Sequence, residues 1–232
     1  MNEFELILVL LFLALFSIFS YKKKLLNFDG ILIANAVGLA TIVYDPPSPI
    51  LCFLAVVVFF IFGEVASNFP RKKHEQRGVW NVVGNSLPAL ALLPFIAVYP
   101  EKAIAFQLAF FGAIAAALSD TLSSEVGYYS KKAPVLITTF KKVVRGVDGG
   151  ITLLGEAAAL MGALAIALLH FSLYFNLAAF FIIIIAGMIG TNMDSLAGAT
   201  YERKKILNNT HVNLIGCASG AIFALVVALI LF

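Results

Sequence analysis

Charged residues are scarce in this sequence. Only 12% of its 232 residues are Asp, Glu, Lys or Arg, whereas 61% are hydrophobic and the mean hydropathy is +0.98. Soluble domains carry a charge on about a quarter of their residues, so this composition excludes an ordinary soluble globular domain. We therefore expect an integral membrane protein.

Cysteine is almost absent as well. Cys52 and Cys217 both lie inside apolar runs, so the sequence indicates neither a disulfide framework nor a cysteine metal site. We expect both to be small core residues. The three histidines, His74, His170 and His211, are too scattered to indicate a metal site.

Two familiar recognition signatures are missing from the sequence. The GxxxxGK[ST] pattern does not occur, which excludes a Walker A phosphate loop. Basic residues are confined to short segments between apolar runs and are not interleaved with stacking aromatics, so no nucleic-acid partner is expected. No internal repeat is visible either.

Long apolar runs dominate what is present. A helix crosses a hydrocarbon core of about 30 Å in roughly 20 residues. We expect one integral membrane domain over residues 1–232, an all-α bundle of about eight spans. They lie at 4–20, 30–44, 49–67, 79–99, 102–120, 150–169, 172–196 and 212–232. The second span is short and contains Asn35, so a re-entrant or interfacial segment is the alternative there.

The first apolar run has a signal peptide as its rival interpretation. In a signal peptide, positive charge precedes the apolar region. Here Glu3 and Glu5 come first and the lysines at 22–24 follow, so a membrane span is favoured.

Positive charge is distributed unevenly between the two ends of the spans. With eight spans, the loops at 22–29, 70–78, 121–148 and 199–211 fall on one side and hold fifteen of the sixteen Lys and Arg residues, leaving Lys102 on the other. Cytoplasmic loops are enriched in these residues. We therefore predict cytoplasmic basic loops, both termini on the opposite side, and a site that faces the cytoplasm from the cell membrane.

Three aspartates are expected at one depth on the cytoplasmic side. Asp120 ends the fifth predicted span, Asp148 precedes the sixth, and Asp194 lies near the end of the seventh. An acid at the centre of a membrane helix costs about 2.5 to 3.5 kcal/mol on insertion scales, which makes an idle cluster improbable. A single such residue has simpler alternatives, since Asp148 could be a helix N-cap. Glu156 is read as a supporting partner or as a protonated core acid.

Carboxylates beside cations are typical of phosphate chemistry. Mg²⁺ is commonly held by one or two carboxylates plus waters and substrate phosphates. The three aspartates are therefore predicted to bind Mg²⁺. The cations expected near them are Lys141, Lys142, Arg145, Arg71 and Arg77. The stretch "RGVDGG" adds Gly146, Gly149 and Gly150, which permit positive-φ turns that aim N–H groups at an anion ahead of a helix start.

Four stretches of the sequence resemble a known family. They are "SDTLSSEVG", "LITTFKKVVRGVDGGITLLG", "MDSLAGAT" and "NNTHVN". In order and spacing they are similar to the motifs of the membrane family that includes plant phytyl-phosphate kinase and transmembrane protein 19. One departure is Val143, Val144 and Arg145, where relatives often have prolines.

The resemblance implies a function and a set of site residues. The function is transfer of a phosphoryl group from a nucleoside triphosphate, with CTP favoured, to an isoprenyl monophosphate. The catalytic residues implied are Asp120, Asp148, Asp194 and Lys141. The substrate-binding residues implied are Ser123, Ser124, Glu125, Thr138, Thr139, Gly146, Gly149, Gly150, Ser195, Arg71, Arg77, Asn81, Asn85, Asn208, Asn209 and Asn213.

Other readings remain open at this point. A cytidylyltransferase would use the same nucleotide and metal but release pyrophosphate, and a cation-coupled transporter would place its acids near the membrane midplane. A structural or assembly factor would not need the acids. For the kinase, the prenyl tail is expected to lie along the small residues of "LAFFGAIAAAL" and "AALMGALAIAL", for which close helix packing is the alternative.

Overall fold

The computed structural model describes residues 3–43, 50–67 and 78–232. Nine α-helices occur in these ranges. They are α1 Glu3–Lys23, α2 Phe28–Val43, α3 Leu51–Ser67, α4 Val79–Leu90, α5 Leu93–Val98, α6 Ala103–Gly127, α7 Leu153–Tyr174, α8 Leu177–Ala197 and α9 Asn209–Leu231. Two short strands, β1 Val135–Leu136 and β2 Gly150–Ile151, pair antiparallel between α6 and α7.

Helices occur at all eight predicted spans, which confirms the all-α fold. Six helical segments are long and apolar enough to cross a membrane: Glu3–Lys23, Val79–Val98, Pro100–Gly127, Leu153–Tyr174, Leu177–Glu202 and Asn209–Leu231. Helices α2 and α3 have 16 and 17 residues and are shorter. The number of spans and their orientation stay predictions.

Helix α6 is the centre of the bundle. It packs against α3, α4, α7, α8 and α9, and its side chains from Leu108 to Leu118 are all buried. A Cβ added at Gly112 would lie 2.8 Å from the carbonyl oxygen of Gly220, and one added at Gly220 would lie 2.8 Å from that of Gly112. Small residues therefore let α6 and α9 cross backbone to backbone, as is usual between membrane helices.

The small residues of α6 and α7, which were predicted to leave room for a prenyl tail, lie at helix contacts. Gly162 of α7 packs on Ser119 of α6, because a Cβ added at Gly162 would lie 3.1 Å from the Cα of Ser119. Ala109, Ala113 and Ala163 are fully buried. The alternative of close packing is thus the one that the structure supports.

Asn35, the residue that made the second span uncertain, bonds to the first helix. Its Nδ2 donates to Ser17 Oγ on α1 and to the Ile31 carbonyl, each at 2.8 Å. A polar side chain inside an apolar span is tolerated when it bonds to a neighbouring helix.

The fifth predicted span ends too early in the sequence. Helix α6 continues seven residues past Asp120 to Gly127, so "SDTLSSEVG" is helical and Asp120 lies within the helix. Packing against α7 explains the extension. An added Cβ at Gly155 would lie 3.0 Å from both the carbonyl oxygen and the Oγ of Ser123, and one at Gly127 would lie 3.1 Å from Thr152 Oγ1. Such contacts outweigh the modest helix propensity of Ser and Thr.

The sixth span begins three residues later than predicted. Gly150 and Ile151 belong to β2, and Thr152 is the N-cap of α7, where its Oγ1 accepts from Gly155 N at 3.0 Å. Asp148 is therefore not the cap. The glycine turn at 146–150 leads into the strand β2. The prediction that a helix starts directly after this turn is therefore also wrong.

Three more boundaries differ from the prediction. The fourth span is divided into α4 and α5 around residues 91–92, between Pro88 and Pro94, because proline lacks the N–H that continues a helix. The turn after α7 lies at Phe175 and Asn176, so His170 is helical and buried. The last helix begins at Asn209, capped by Asn208.

The close crossing of α6 and α9 yields a stability prediction. Overpacking a core usually lowers the free energy of unfolding by about 1 to 3 kcal/mol. Gly112→Val should exceed this range, because the added carbons meet Ala224 Cβ and the backbone of Gly220. Gly78→Ala is the control, since among the described residues its Cβ would meet Asn27 Nδ2 alone, at 3.7 Å. Thermal unfolding in detergent measures both, and equal midpoints would contradict the packing described.

The charge asymmetry yields an orientation prediction. Lys102 and Lys132 are exposed, and both native cysteines are buried. In intact cells, a membrane-impermeant maleimide should label Lys102→Cys and should reach Lys132→Cys only after permeabilisation, because positive loops are retained inside. The reverse labelling pattern would invert the predicted topology.

Candidate functional site

A polar pocket of about 360 Å³ lies where α6, α8 and α9 meet the loop before α7. Ten of the predicted site residues line it. They are Asp120, Ser123, Ser124, Gly146, Asp148, Gly149, Gly150, Asp194, Ser195 and Asn209. The sequence motifs on three helices and one loop therefore converge on a single cavity.

Two aspartates from different helices meet in this pocket. The carboxyl groups of Asp120 on α6 and Asp194 on α8 are in hydrogen-bonding contact, and both side chains are half-buried. Two carboxylates this close repel each other unless a proton or a cation lies between them. This pair is the strongest candidate in the pocket for binding a cation.

Helix crossings force the two aspartates together. Gly190, one turn before Asp194, packs directly on Ala116 of α6, one turn before Asp120. On α9, a Cβ at Gly216 would lie 2.9 Å from that of Asp194. Asp194 is thus held between α6 and α9 by residues too small to keep the helices apart.

Two further acids extend the pocket's negative charge. Glu202 lies on a π-helical turn, Gly198–Glu202, that continues α8, and it is within electrostatic range of Asp120, Asp194 and Asp148. Asp148 is exposed at the rim. Within the described ranges, no three His, Cys, Asp or Glu side chains are grouped closely enough to hold a metal by themselves. Of the three aspartates predicted to bind Mg²⁺, Asp120 and Asp194 form a close pair, and Asp148 lines the same pocket at its rim.

The donor set of the pair fits Mg²⁺. This ion prefers oxygen ligands and is commonly bound by one or two carboxylates, with waters and substrate phosphates completing its coordination. Asp120 and Asp194 provide the carboxylates, and Ser123, Ser124 and Ser195 line the same cavity with hydroxyl groups.

The loop over the pocket depends on its glycines. Gly146 and Gly149 have φ of 82° and 73°, as predicted for a turn that favours glycine. At Gly149 there is also no room for a side chain, because a Cβ would lie 2.5 Å from the Ser195 carbonyl oxygen and would overlap Ala199. The loop is thereby pressed against the end of α8.

Arg145 anchors the loop at its other end. Its guanidinium donates to the carbonyl oxygen of Ser130, and the residue lines the pocket. Among the described residues around the cavity, Arg145 carries the one positive charge. Arg145 is better placed than Lys141 to meet an anion, because Lys141 does not line the cavity.

Asn213 lies behind the pocket and contacts Asp194, and Asn85 in turn contacts Asn213. In the amide orientation that satisfies its neighbours, Asn213 donates to Asp194 Oδ2 and to the Asn209 carbonyl, and accepts from Asn85 Nδ2, each at 3.2 Å. Asn85 also donates to the Asn81 carbonyl at 2.9 Å. These two buried amides on α4 and α9 therefore position Asp194, and neither lines the cavity.

The remaining predicted residues lie away from the cavity. Thr138, Thr139 and Lys141 form the exposed turn of a hairpin, in which Leu136 N donates to the Lys141 carbonyl at 2.9 Å. Glu125 is on α6 but not on the pocket face. Asn208 serves as the N-cap of α9 and accepts from His211 N at 3.1 Å. Arg71 and Arg77 lie outside the described residues.

Several pocket residues were not predicted. Glu202, Thr152 and Tyr128 line the cavity. Glu202 belongs to "YERKK", which was predicted as a basic loop, and the π-helical turn that places it at the cavity has no recognisable signal in the sequence. Glu156, which was read as a supporting acid, accepts a long bond from Asn192 Nδ2 at 3.4 Å and stays outside the cavity.

Comparison with known proteins gives a family match over most of the chain. The family model described as integral membrane protein DUF92 matches residues 11–221. The chain is 34% identical to the uncharacterized membrane protein MJ0933 of Methanocaldococcus jannaschii over 216 residues, which are 89% of this chain and 87% of that protein. No solved structure shows significant similarity.

Relatives are also found in photosynthetic organisms. The uncharacterized membrane protein sll0875 of Synechocystis is 34% identical over 75% of this chain and 72% of its own length. The chloroplastic protein VTE6 of Arabidopsis thaliana is 30% identical over 75% of this chain and 57% of its own length. The plant resemblance predicted from the motifs is thus confirmed.

The amide contacts behind Asp194 yield a coupling prediction. Asn85→Ala and Asn213→Ala should each destabilise the fold, because each leaves a buried polar partner unsatisfied. Because Asn85 and Asn213 share a hydrogen bond, the double variant should lose less free energy of unfolding than the two single variants lose together. The expected difference is about 0.6 to 1.7 kcal/mol. A thermal double-mutant cycle measures this difference. Strict additivity would show that the two amides do not interact.

Proposed function

The chain belongs to the DUF92 family of integral membrane proteins, and for this member we propose a kinase that converts an isoprenyl monophosphate to the diphosphate. The phosphoryl donor is a nucleoside triphosphate, with CTP favoured. The observation that carries the proposal is the contact between Asp120 and Asp194 in a polar pocket at the end of membrane helices. The motif resemblance to the family that includes plant phytyl-phosphate kinase supplies the substrate class.

Asp120 and Asp194 would hold Mg²⁺. When bound, the ion neutralises charge on the donor phosphates. The chain itself provides the rest of the environment. The four acids near the cavity would repel a triphosphate without a cation, so the pocket selects a metal-bound nucleotide over a free one.

Arg145 and the glycine loop bind the phosphates from above. Arg145 offers planar N–H donors that match phosphate oxygens, and its bond to Ser130 fixes its position. Gly146 and Gly149 keep the backbone close to the cavity. Lys141, on the exposed hairpin turn, is proposed to attract the anionic substrates to the pocket.

The reaction needs no strong base from the protein. The attacking atom is an oxygen of the prenyl phosphate, which is already anionic. The bond from the terminal phosphorus of the donor to its bridging oxygen breaks, a bond to the acceptor oxygen forms, and the nucleoside diphosphate leaves. Catalysis therefore consists of positioning and charge stabilisation.

A product assay tests this proposal. Purified protein is incubated with Mg²⁺, CTP or ATP, and geranylgeranyl or phytyl monophosphate, and the lipid product is identified by mass. We expect the prenyl diphosphate and CDP. A cytidylyl adduct with release of pyrophosphate would instead identify a cytidylyltransferase, and no lipid product with any donor would overturn the enzyme assignment.

The aspartate pair yields a prediction about both activity and metal binding. Asp120→Asn and Asp194→Asn should each reduce kcat by about a hundredfold or more, because each removes half of the pair's charge. Mg²⁺ should raise the thermal unfolding midpoint of the parent protein and should have no such effect on the double variant.

Asp29→Asn is the matched control for these variants. Asp29 is an exposed aspartate in the first turn of α2, and it does not line the pocket. Its replacement should leave both the activity and the Mg²⁺ shift unchanged. An unaltered Mg²⁺ shift in the double variant would show that the ion binds elsewhere.

A further inference from the structure

An apolar groove of about 560 Å³ runs between α4 and α9 on the outside of the bundle. Trp80, Val83 and Leu87 line it from α4, and Leu214 lines it from α9. Their spacing of three, four and seven residues places the α4 side chains on one helical face. Trp80 is 70% exposed and Leu87 48% exposed, so the groove is open at the side of the bundle.

The floor of the groove is a close helix contact. An added Cβ at Gly84 would lie 3.1 Å from the Thr210 carbonyl oxygen and 3.3 Å from Asn213 Cβ. Because α4 and α9 touch at Gly84, the larger side chains on either side of it stand apart and leave a channel between them. From Trp80 to Leu87 the channel follows α4 for about 10 Å.

The groove and the acid pocket share a residue. Asn209, the first residue of α9, lines both cavities. A single molecule with a phosphate head and a hydrocarbon tail could therefore occupy the pocket and the groove at once, with Asn209 at the junction. The acid pocket is lined by acidic and hydroxyl side chains, whereas the groove is lined by the apolar side chains named above, together with Asn208, Thr210 and His211 beside Asn209.

Two other apolar cavities lack this connection. The groove between α1 and α3, at Phe12, Phe16 and Phe60, is larger at about 760 Å³, but no residue that lines it also lines the acid pocket. The cavity beneath Asn81 and Asn85 measures about 40 Å³, which is too small for an isoprenoid chain.

We propose that the α4–α9 groove binds the isoprenoid chain of the substrate whose phosphate lies in the acid pocket. This inference rests on the proposed function, which supplies the chemistry of the substrate. It adds where the isoprenoid chain lies and in which direction it runs. The chain enters from Asn209 and extends along α4 toward Leu87. Apolar side chains give it packing contacts that the small-residue crossings of α6 and α7 do not offer.

Photo-crosslinking tests the location without requiring turnover. The probe is geranylgeranyl monophosphate with a diazirine on its terminal isoprene unit, applied to the purified full chain. We expect crosslinks on α4 and the first half of α9 that unlabelled geranylgeranyl monophosphate prevents and excess phosphatidylglycerol does not. Crosslinks confined to α1 and α3, or equal competition by the phospholipid, would overturn the inference.

A substitution tests the same groove by substrate length. Leu87→Trp fills the channel and should raise KM for geranylgeranyl monophosphate by at least about tenfold. A tenfold loss of binding corresponds to the loss of apolar contact by fewer than two methylene groups of the chain. KM for the five-carbon dimethylallyl monophosphate should change less than twofold, which also shows that the variant is folded. Leu229→Trp, at a leucine 47% exposed on α9, is the matched control and should alter neither value.

The outcomes separate the two proposals. If no prenyl phosphate is phosphorylated but the probe still reacts competitively in the groove, the kinase assignment fails and the binding site stands. If prenyl diphosphate forms while Leu87→Trp raises KM equally for both chain lengths, the kinase assignment stands and the groove is not the tail site.

Discussion

The contact between Asp120 and Asp194 is the constraint around which the rest of this structure is arranged. Two ionised carboxylates in contact repel each other, and the repulsion is strongest where water is partly excluded, as at the end of a membrane helix bundle. The fold enforces the contact through the crossing of Gly190 on Ala116 and through Gly216, which leaves Asp194 no space to move toward α9. A bound cation would relieve the repulsion, and the surrounding hydroxyl groups are compatible with one.

Helix α6 links this constraint to the stability of the bundle. The same helix that carries Asp120 is buried along most of its length, against α7, α8 and α9. In a membrane, van der Waals packing and hydrogen bonds replace the hydrophobic effect as the force between helices, so close backbone crossings carry much of the stability. The glycines and alanines of α6 therefore set both the packing of the core and the distance between the two acids.

Polar and apolar functions are separated in space by α9. Its first turn carries Asn209, which borders the acid pocket on one side and the α4–α9 groove on the other. Its next turn carries Asn213, which reaches Asp194 from behind. One helix start thus borders both an acidic pocket and an apolar groove, and the proposed reaction on a membrane-bound phosphate would use both.

The sequence by itself determined the membrane class, the approximate positions of the helical segments and most of the residues that meet in the pocket. Apolar runs of spanning length and acids beside glycine and serine are local features, so they can be recognised in the sequence without knowledge of how the helices pack. Helix ends were less predictable, because the extension of α6 through "SDTLSSEVG" depends on Gly155 and Thr152 of another helix. Tertiary structure alone decided that Asp148 stands apart from the aspartate pair, that Glu202 lines the same pocket, and that Arg145 lines it while Lys141 does not. Each of these depends on the direction in which one backbone segment crosses another, and that direction is set by contacts between residues far apart in the chain.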